Sequence, residues 1–135
     1  MSGRSAAAGS RQRFSSGGPW EERYGYSRAV RVEDRIVVSG CTAAADADAM
    51  ASGDAAAQAH AALRVGLAAI EGLGGTAADV IRTRMYLTRR EDADAVGAVH
   101  GAIFAAAAPA ATMVMVAGLI DPQMVVEIEL EAVVS

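Results

Sequence analysis

The stretch Val125-Val-Glu-Ile-Glu-Leu-Glu-Ala-Val-Val134 decides the fold. In an extended chain successive side chains point to opposite faces, so Val126, Ile128 and Leu130 share one face and Glu127, Glu129 and Glu131 the other. Such a strand belongs to a sheet with one apolar, covered face and one polar face. Val80-Ile-Arg-Thr-Arg-Met-Tyr-Leu87 repeats the theme with the opposite charge, setting Arg82 and Arg84 against Ile81, Thr83 and Met85. Carboxylates and guanidiniums, mixed with Val80, Tyr86 and Val133, therefore occupy the face that helices do not cover. Periodicity leaves two readings of that face. One is a solvated or salt-bridged subunit contact; the other places a carboxylate in an inter-subunit ligand cleft with an acid/base role.

Outward from these strands, Tyr26-Ser-Arg-Ala-Val-Arg-Val32 and Arg35-Ile-Val-Val-Ser39 flank Glu33-Asp34 and read as an antiparallel hairpin. Cys41 to Gly53 reads as an Ala/Asp-rich loop. Leu63, Leu67 and Ile70, spaced by four and three, predict a helix that opens at an Asp54 N-cap and ends at Gly74-Gly75. Thr88-Arg-Arg-Glu91 has capping-box spacing and opens a second helix with the stripe Val96, Val99, Ile103 and Phe104, ended by Pro109. Thr112 to Val116 supplies a further strand. The order is ββαβαββ, a mixed sheet with two helices on one face, which makes a two-layer α/β sandwich. Residues 1–12, rich in Ser, Gly, Ala and Arg, read as a flexible tail, and residues 13–135 as a single domain.

Composition narrows the function. The 135 residues suffice for one core, and 53% hydrophobic with 21% charged residues describe a folded, soluble protein. Twelve basic against sixteen acidic residues give a net charge of −4, which argues against a nucleic-acid partner. Every basic residue is Arg, so no side-chain amine is present to form a Schiff base with a carbonyl substrate. A single cysteine, Cys41, excludes an internal disulfide and a multi-cysteine metal site, and a reducing cytoplasmic setting follows. No apolar run approaches the ~20 residues of a membrane span, and no continuous apolar block of a secretory signal opens the chain. His60 and His100 lack the i, i+4 pairing of a helical metal site, so no metal is expected.

From Arg13 to Val134 the sequence resembles the Rid proteins (RidA, formerly YjgF). The resemblance rests on Gly25-Tyr26-Ser before the hairpin, Val38-Ser39-Gly40 at its end, Gln58-Ala59, and Asp79-Val-Ile-Arg-Thr-Arg-Met-Tyr-Leu-Thr88. His100 to Phe104, Pro109-Ala110 and Val126-Glu127-Ile128-Glu129 complete it. It implies a chorismate-mutase-like α/β fold assembled as a homotrimer with three clefts between subunits. It also implies a small-molecule ligand, and hydrolysis of reactive enamines and imines to 2-oxo acids and ammonia without metal or organic cofactor.

Residue by residue, the resemblance makes Tyr26 a ligand-orienting tyrosine, Gly40 a backbone contact and Glu127 the group that handles water. The arginine that follows Pro-Ala in the archetype falls on Ala111, in Pro109-Ala110-Ala111-Thr112; an asparagine falls on Gly97 and a cysteine on Met113. A guanidinium grips a carboxylate through two parallel charge-assisted hydrogen bonds, and alanine supplies no donor. Archetypal imino-acid deamination is therefore expected to be absent or weak, unless another arginine on a strand, Arg28, Arg82 or Arg84, reaches in. Cys41 follows the site glycine and is placed at the cleft mouth without an activating His or Asp. Trp20 either packs over the cleft or ties down the N-terminal arm. Two classes of function stay open: an enzyme acting on a small imine-like metabolite through Glu127 and Tyr26, or a non-catalytic small-molecule-binding trimer.

Overall fold

The structure, a computed structural model, describes residues 10–135. Its elements run β1 (Arg11–Phe14), α1 (Pro19–Tyr24), β2 (Ala29–Val32), β3 (Arg35–Cys41), α2 (Ala47–Ser52), α3 (Ala55–Gly72), β4 (Val80–Leu87), α4 (Ala93–Phe104), β5 (Ala110–Met115) and β6 (Val126–Val133). One six-stranded sheet has the order β1-β2-β3-β6-β4-β5. The β4–β5 pair, joined through α4, is parallel, and the other pairs are antiparallel. The ββαβαββ order expected from periodicity is present as β2, β3, α3, β4, α4, β5 and β6.

Three further elements correct that reading. Arg11 and Gln12, assigned to the tail, lie in β1, which pairs with β2 and seats Phe14 opposite Ala29. Phe14 packs where Gly72 of α3 has no side chain: a Cβ there would sit 2.3 Å from its ring. The tail expectation for residues 1–9 lies outside the described residues. The segment after Cys41 is not all loop, because Asp46 accepts a hydrogen bond from the Ala49 amide and starts α2, which Gly53 (φ +65°) ends. The third addition is α1, with Pro19 in its first turn.

Two helix signals also resolve differently. The Thr88–Glu91 capping box does not form; Arg89 instead bonds to Asp92 (2.7 Å) and to the Gly53 carbonyl (2.8 Å), leading through a 3-10 turn into α4. A capping box does form between Thr76 and Asp79, before β4. α4 ends at Phe104, ahead of Pro109, and Ala108 turns the chain with φ +46°.

The core lies between the sheet and α3 and α4, filled by Ile36, Val38, Leu63, Ile70, Leu87, Val96, Phe104, Ile128 and Leu130. A smaller cluster of Ala43, Ala49, Met50, Ala61 and Met124 lies under α2, with Trp20 against it. Gln58, fully buried on α3, ties the clusters together. It donates to the carbonyls of Ala49 (3.2 Å) and Gln123 (2.9 Å) and accepts from the Val125 amide (2.9 Å).

Two β-bulges adjust the alternation. Between Val80 and Arg82 the pairing with β6 slips by one residue. Val80 thereby turns into the core at 2% exposure, and Ile81 turns outward. This reverses the faces that strict alternation assigns to those two residues. A second bulge between Val38 and Cys41 lets both face the core although they are three residues apart.

Candidate functional site

The open face of the sheet treats its three glutamates differently. Arg35 pairs with Glu131, and Arg84 reaches both Glu129 and Glu131 at 3.6 Å. The Tyr86 hydroxyl donates to Glu129 at 3.0 Å. Glu127 has no salt bridge among the described residues. Arg82 and Arg84 thus belong to the charged face.

Glu127 folds over Gly40, which the second bulge presents to it. A Cβ on Gly40 would lie 2.0 Å from Glu127 Oε2, so the carboxyl occupies the space that any other residue's side chain would take. Both residues line a cavity of about 760 Å³ with Tyr26, Arg28, Cys41 and, from α1 and the β5–β6 connection, Trp20, Ile120 and Met124. Burial, then the Glu129 charge, push the Glu127 carboxyl above the ordinary value of 4.5, while Arg28 works in the opposite direction. The result is a half-buried carboxyl that holds its proton more tightly than an ordinary glutamate, set in a largely apolar wall.

Arg28, which lines the cavity, is paired with Glu21, which does not. Arg28 is 8% exposed; its Nη1 donates to the Gly40 carbonyl at 2.6 Å, and its Nε lies 3.4 Å from Glu21 Oε2. Its guanidinium carbon is 5.7 Å from the Tyr26 ring centroid. Arg28 precedes β2 rather than lying within it. Glu21 also accepts from the Ser16 amide (3.2 Å) and the Ser16 hydroxyl, which anchors the arm between β1 and α1. Burial opposes ionisation of Glu21, but hydrogen bonds from Ser16 and Ser15 and the Arg28 charge outweigh it and lower the pKa. Burial likewise opposes the Arg28 charge, and Cys41, Glu21 and Tyr26 outweigh it.

Cys41 is buried at 2% exposure, not placed at the cleft mouth, because the bulge turns it toward the core. Burial pushes its thiol up to about 11 despite Arg28, and the thiol donates to the Ser39 carbonyl at 3.2 Å. Trp20 lines the cavity and packs against the cluster under α2. Ala111 lies on β5, in register with Thr83, and is exposed outside the cavity wall of its own chain. His60 is exposed, and His100 bonds through Nε2 to the Thr83 hydroxyl at 2.8 Å, its pKa lowered by burial. Among the described residues no three His, Cys, Asp or Glu side chains group to hold a metal.

Residues 20–134 match the family model described as Endoribonuclease L-PSP. The chain belongs to this family, the Rid or YjgF proteins. A Mycobacterium tuberculosis member of the highly conserved YjgF/YER057c/UK114 family is 43% identical, with a TM-score of 0.84 over 93% of this chain and 100% of that one. The Escherichia coli YjgF gene product is 28% identical with a TM-score of 0.72, covering 90% of this chain and 92% of that one. An uncharacterized Streptomyces coelicolor protein is 39% identical over 121 residues, 90% of each chain.

Of the residues that the Rid resemblance singles out, the fold brings Tyr26, Gly40, Cys41 and Glu127 to one cavity and leaves Ala111 outside it. Sequence reasoning missed Glu21, and it considered Arg28 only as one of three alternatives. The available signal was an arginine two residues after Tyr26, where the neighbours Ala29 and Val30 already begin a strand. No helix among the described residues is long and apolar enough to cross a membrane.

Proposed function

We propose that this Rid protein binds a small metabolite in the Glu127 cavity and processes it by acid/base chemistry, with hydrolysis of an imine or enamine as the reaction type. One observation carries the reading: a half-buried carboxyl without an ion-pair partner among the described residues, folded over Gly40 in a cavity that Tyr26 also lines. In the hydrolysis, water adds to the C=N carbon while Glu127 takes one of its protons. Glu127 then returns the proton to nitrogen, giving a carbinolamine. It next takes the carbinolamine hydroxyl proton and delivers that to nitrogen as the C–N bond breaks, leaving a carbonyl compound and ammonia. Tyr26 orients the ligand, and the Gly40 backbone borders it. No metal or organic cofactor enters this scheme.

Homotrimeric assembly in the cytoplasm is part of the proposal. The open face alternates charged groups with exposed Val37 and half-buried Val133, a surface suited to a second copy. The exposed Ala111 edge would then border a neighbour's cleft without offering a carboxylate donor, so turnover of 2-imino acids is weak or absent. An RNA substrate is no part of the reading, since its phosphates would meet Glu127, Glu129 and Glu131. The missing donor at Ala111 also supports a second reading, a trimer that binds its ligand without turnover.

The test is ammonia release from 2-iminopropionate and from imines without a carboxylate, generated in situ, with wild type and Glu127→Gln. We expect no measurable acceleration for the former and Glu127-dependent acceleration for at least one of the latter. Turnover that survives Glu127→Gln overturns the acid/base assignment. Ligand binding with no turnover of any imine selects the binding trimer.

A further inference from the structure

Arg28 is charged, buried and incompletely used. A guanidinium carries five N–H donors on three nitrogens. Nη1 serves the carbonyls of Gly40 (2.6 Å) and Ser39 (3.5 Å) and the Cys41 sulfur (3.8 Å), and Nε faces Glu21 at 3.4 Å. Among the described residues Nη2 has no hydrogen-bond partner, although Arg28 is 8% exposed and lines the cavity. Buried donors of a charged group are almost always satisfied, and leaving them bare is costly. The cavity is where a partner for Nη2 can enter.

We propose that Arg28 is the anion-recognising residue of this cavity, holding a small monocarboxylate with an apolar body end-on through Nη2. The inference rests on the cavity being a ligand site, as argued above, and adds a class of ligand that the cavity holds without fast turnover. The apolar body follows from Trp20, Val65, Ile120 and Met124 in the wall. The single negative charge follows from the neighbours: Glu21 faces Nε and the Glu127 carboxyl lines the same cavity, so a dianion or a phosphate is repelled. End-on binding follows from the committed nitrogens. A forked grip needs two parallel N–H bonds from one edge of the guanidinium, and both edges include Nη1 or Nε. Arg28 thus supplies affinity for a carboxylate where Ala111 cannot, but it does not fix the carboxylate plane. The neighbouring carbon is left without the alignment that fast hydrolysis of a 2-imino acid requires.

Trp20 is the only tryptophan and lines the cavity, so its fluorescence reports binding there. The probes are isovalerate, its neutral isostere isovaleramide, and the dianion methylsuccinate, titrated into wild type, Arg28→Met and Arg28→Lys. We expect wild type to bind isovalerate about tenfold or more tightly than isovaleramide, the scale of one charge-assisted hydrogen bond, and methylsuccinate more weakly than isovalerate. In Arg28→Met the acid-to-amide preference falls to about one; in Arg28→Lys, which keeps the charge, part of it remains. Arg28 also holds Gly40 and Glu21, so circular dichroism checks that each variant folds, and if Arg28→Met does not, the wild-type ratio decides. Equal binding of acid and amide by wild type, or a folded Arg28→Met that keeps the preference, overturns the role of Arg28 alone. Failure of all three probes to bind overturns the cavity reading as well.

Discussion

Replacing Gly40 by alanine separates the fold from the site. The new Cβ would lie 2.0 Å from Glu127 Oε2, 2.9 Å from its Cδ and 3.2 Å from its Cγ. Non-bonded heavy atoms rest at about 3.5–4.0 Å, so the two groups cannot coexist. Gly40 is not among the glycines with positive φ, and alanine adopts its backbone conformation without strain. The three atoms in the way all belong to the end of one side chain, so Glu127 moves and the strands do not. Forcing a side chain off its preferred rotamer costs about 0.5–1.5 kcal/mol, and for a chain of this length 1 kcal/mol lowers Tm by about 3–5 °C. The site suffers far more than the fold, because the carboxyl leaves its place over residue 40. Its pKa then drops back toward 4.5, since burial was the main cause of its rise. Thermal melting and a carboxyl NMR titration, with the Glu127 resonance assigned through Glu127→Gln, measure both effects. A variant that melts within a few degrees of wild type but keeps the raised Glu127 titration refutes the reasoning. So does one that fails to fold.

Glu127→Gln should stabilise the protein at pH 7. The folded state holds the Glu127 proton more tightly than the unfolded chain does, because burial and Glu129 outweigh Arg28, so stability falls as pH rises from 4.5 through the folded value. Glutamine removes that loss, and its advantage in a denaturant titration should vanish below pH 4.5; an advantage independent of pH contradicts the assignment. Cys41, with its thiol at about 11, is about one part in a thousand thiolate at pH 8. Iodoacetamide should therefore label the native protein far more slowly than the denatured chain, and equal rates would place the thiol in the open. Light scattering should give three times 13.8 kDa, and a monomer at micromolar concentration removes the trimer from the proposal.

The parts of the fold written as a repeated apolar spacing were legible in the sequence. Val126, Ile128 and Leu130 on β6, and Leu63 and Ile70 on α3, do face the core. What escaped was structure without a period. A bulge inserts one residue and leaves no mark in a two-residue alternation, so Val80 and Ile81 were set on the wrong faces and Cys41 was placed at the cleft mouth. β1 is four residues with two arginines, and its strand character comes from pairing with β2. α2 had its signals in Asp46 and Gly53, but its alanines carry no apolar stripe to announce a helix. At the site, alternation marked three glutamates alike, and resemblance picked out Glu127, Tyr26 and Gly40. Arg28 did not, because its environment depends on carbonyls that the bulge at Ser39-Gly40 turns toward it. No local pattern encodes that approach.

The two rims of the sheet are unequally defended against stray strands. On β1, Arg11 and Arg13 put positive charge along the outer edge, and a second β1 brought alongside would meet like charge. The opposite rim, β5, reads Ala-Ala-Thr-Met-Val-Met, with neither a charge nor a proline to deter pairing. A bare edge of this kind recruits backbone from any chain that offers it. A subunit with β5 uncovered is therefore a hazardous species. Heating, dilution or a substitution that leaves β5 uncovered should lead to precipitation through this rim before the core melts. A single lysine in place of Val114, exposed and central on that strand, would give it the protection that β1 already has.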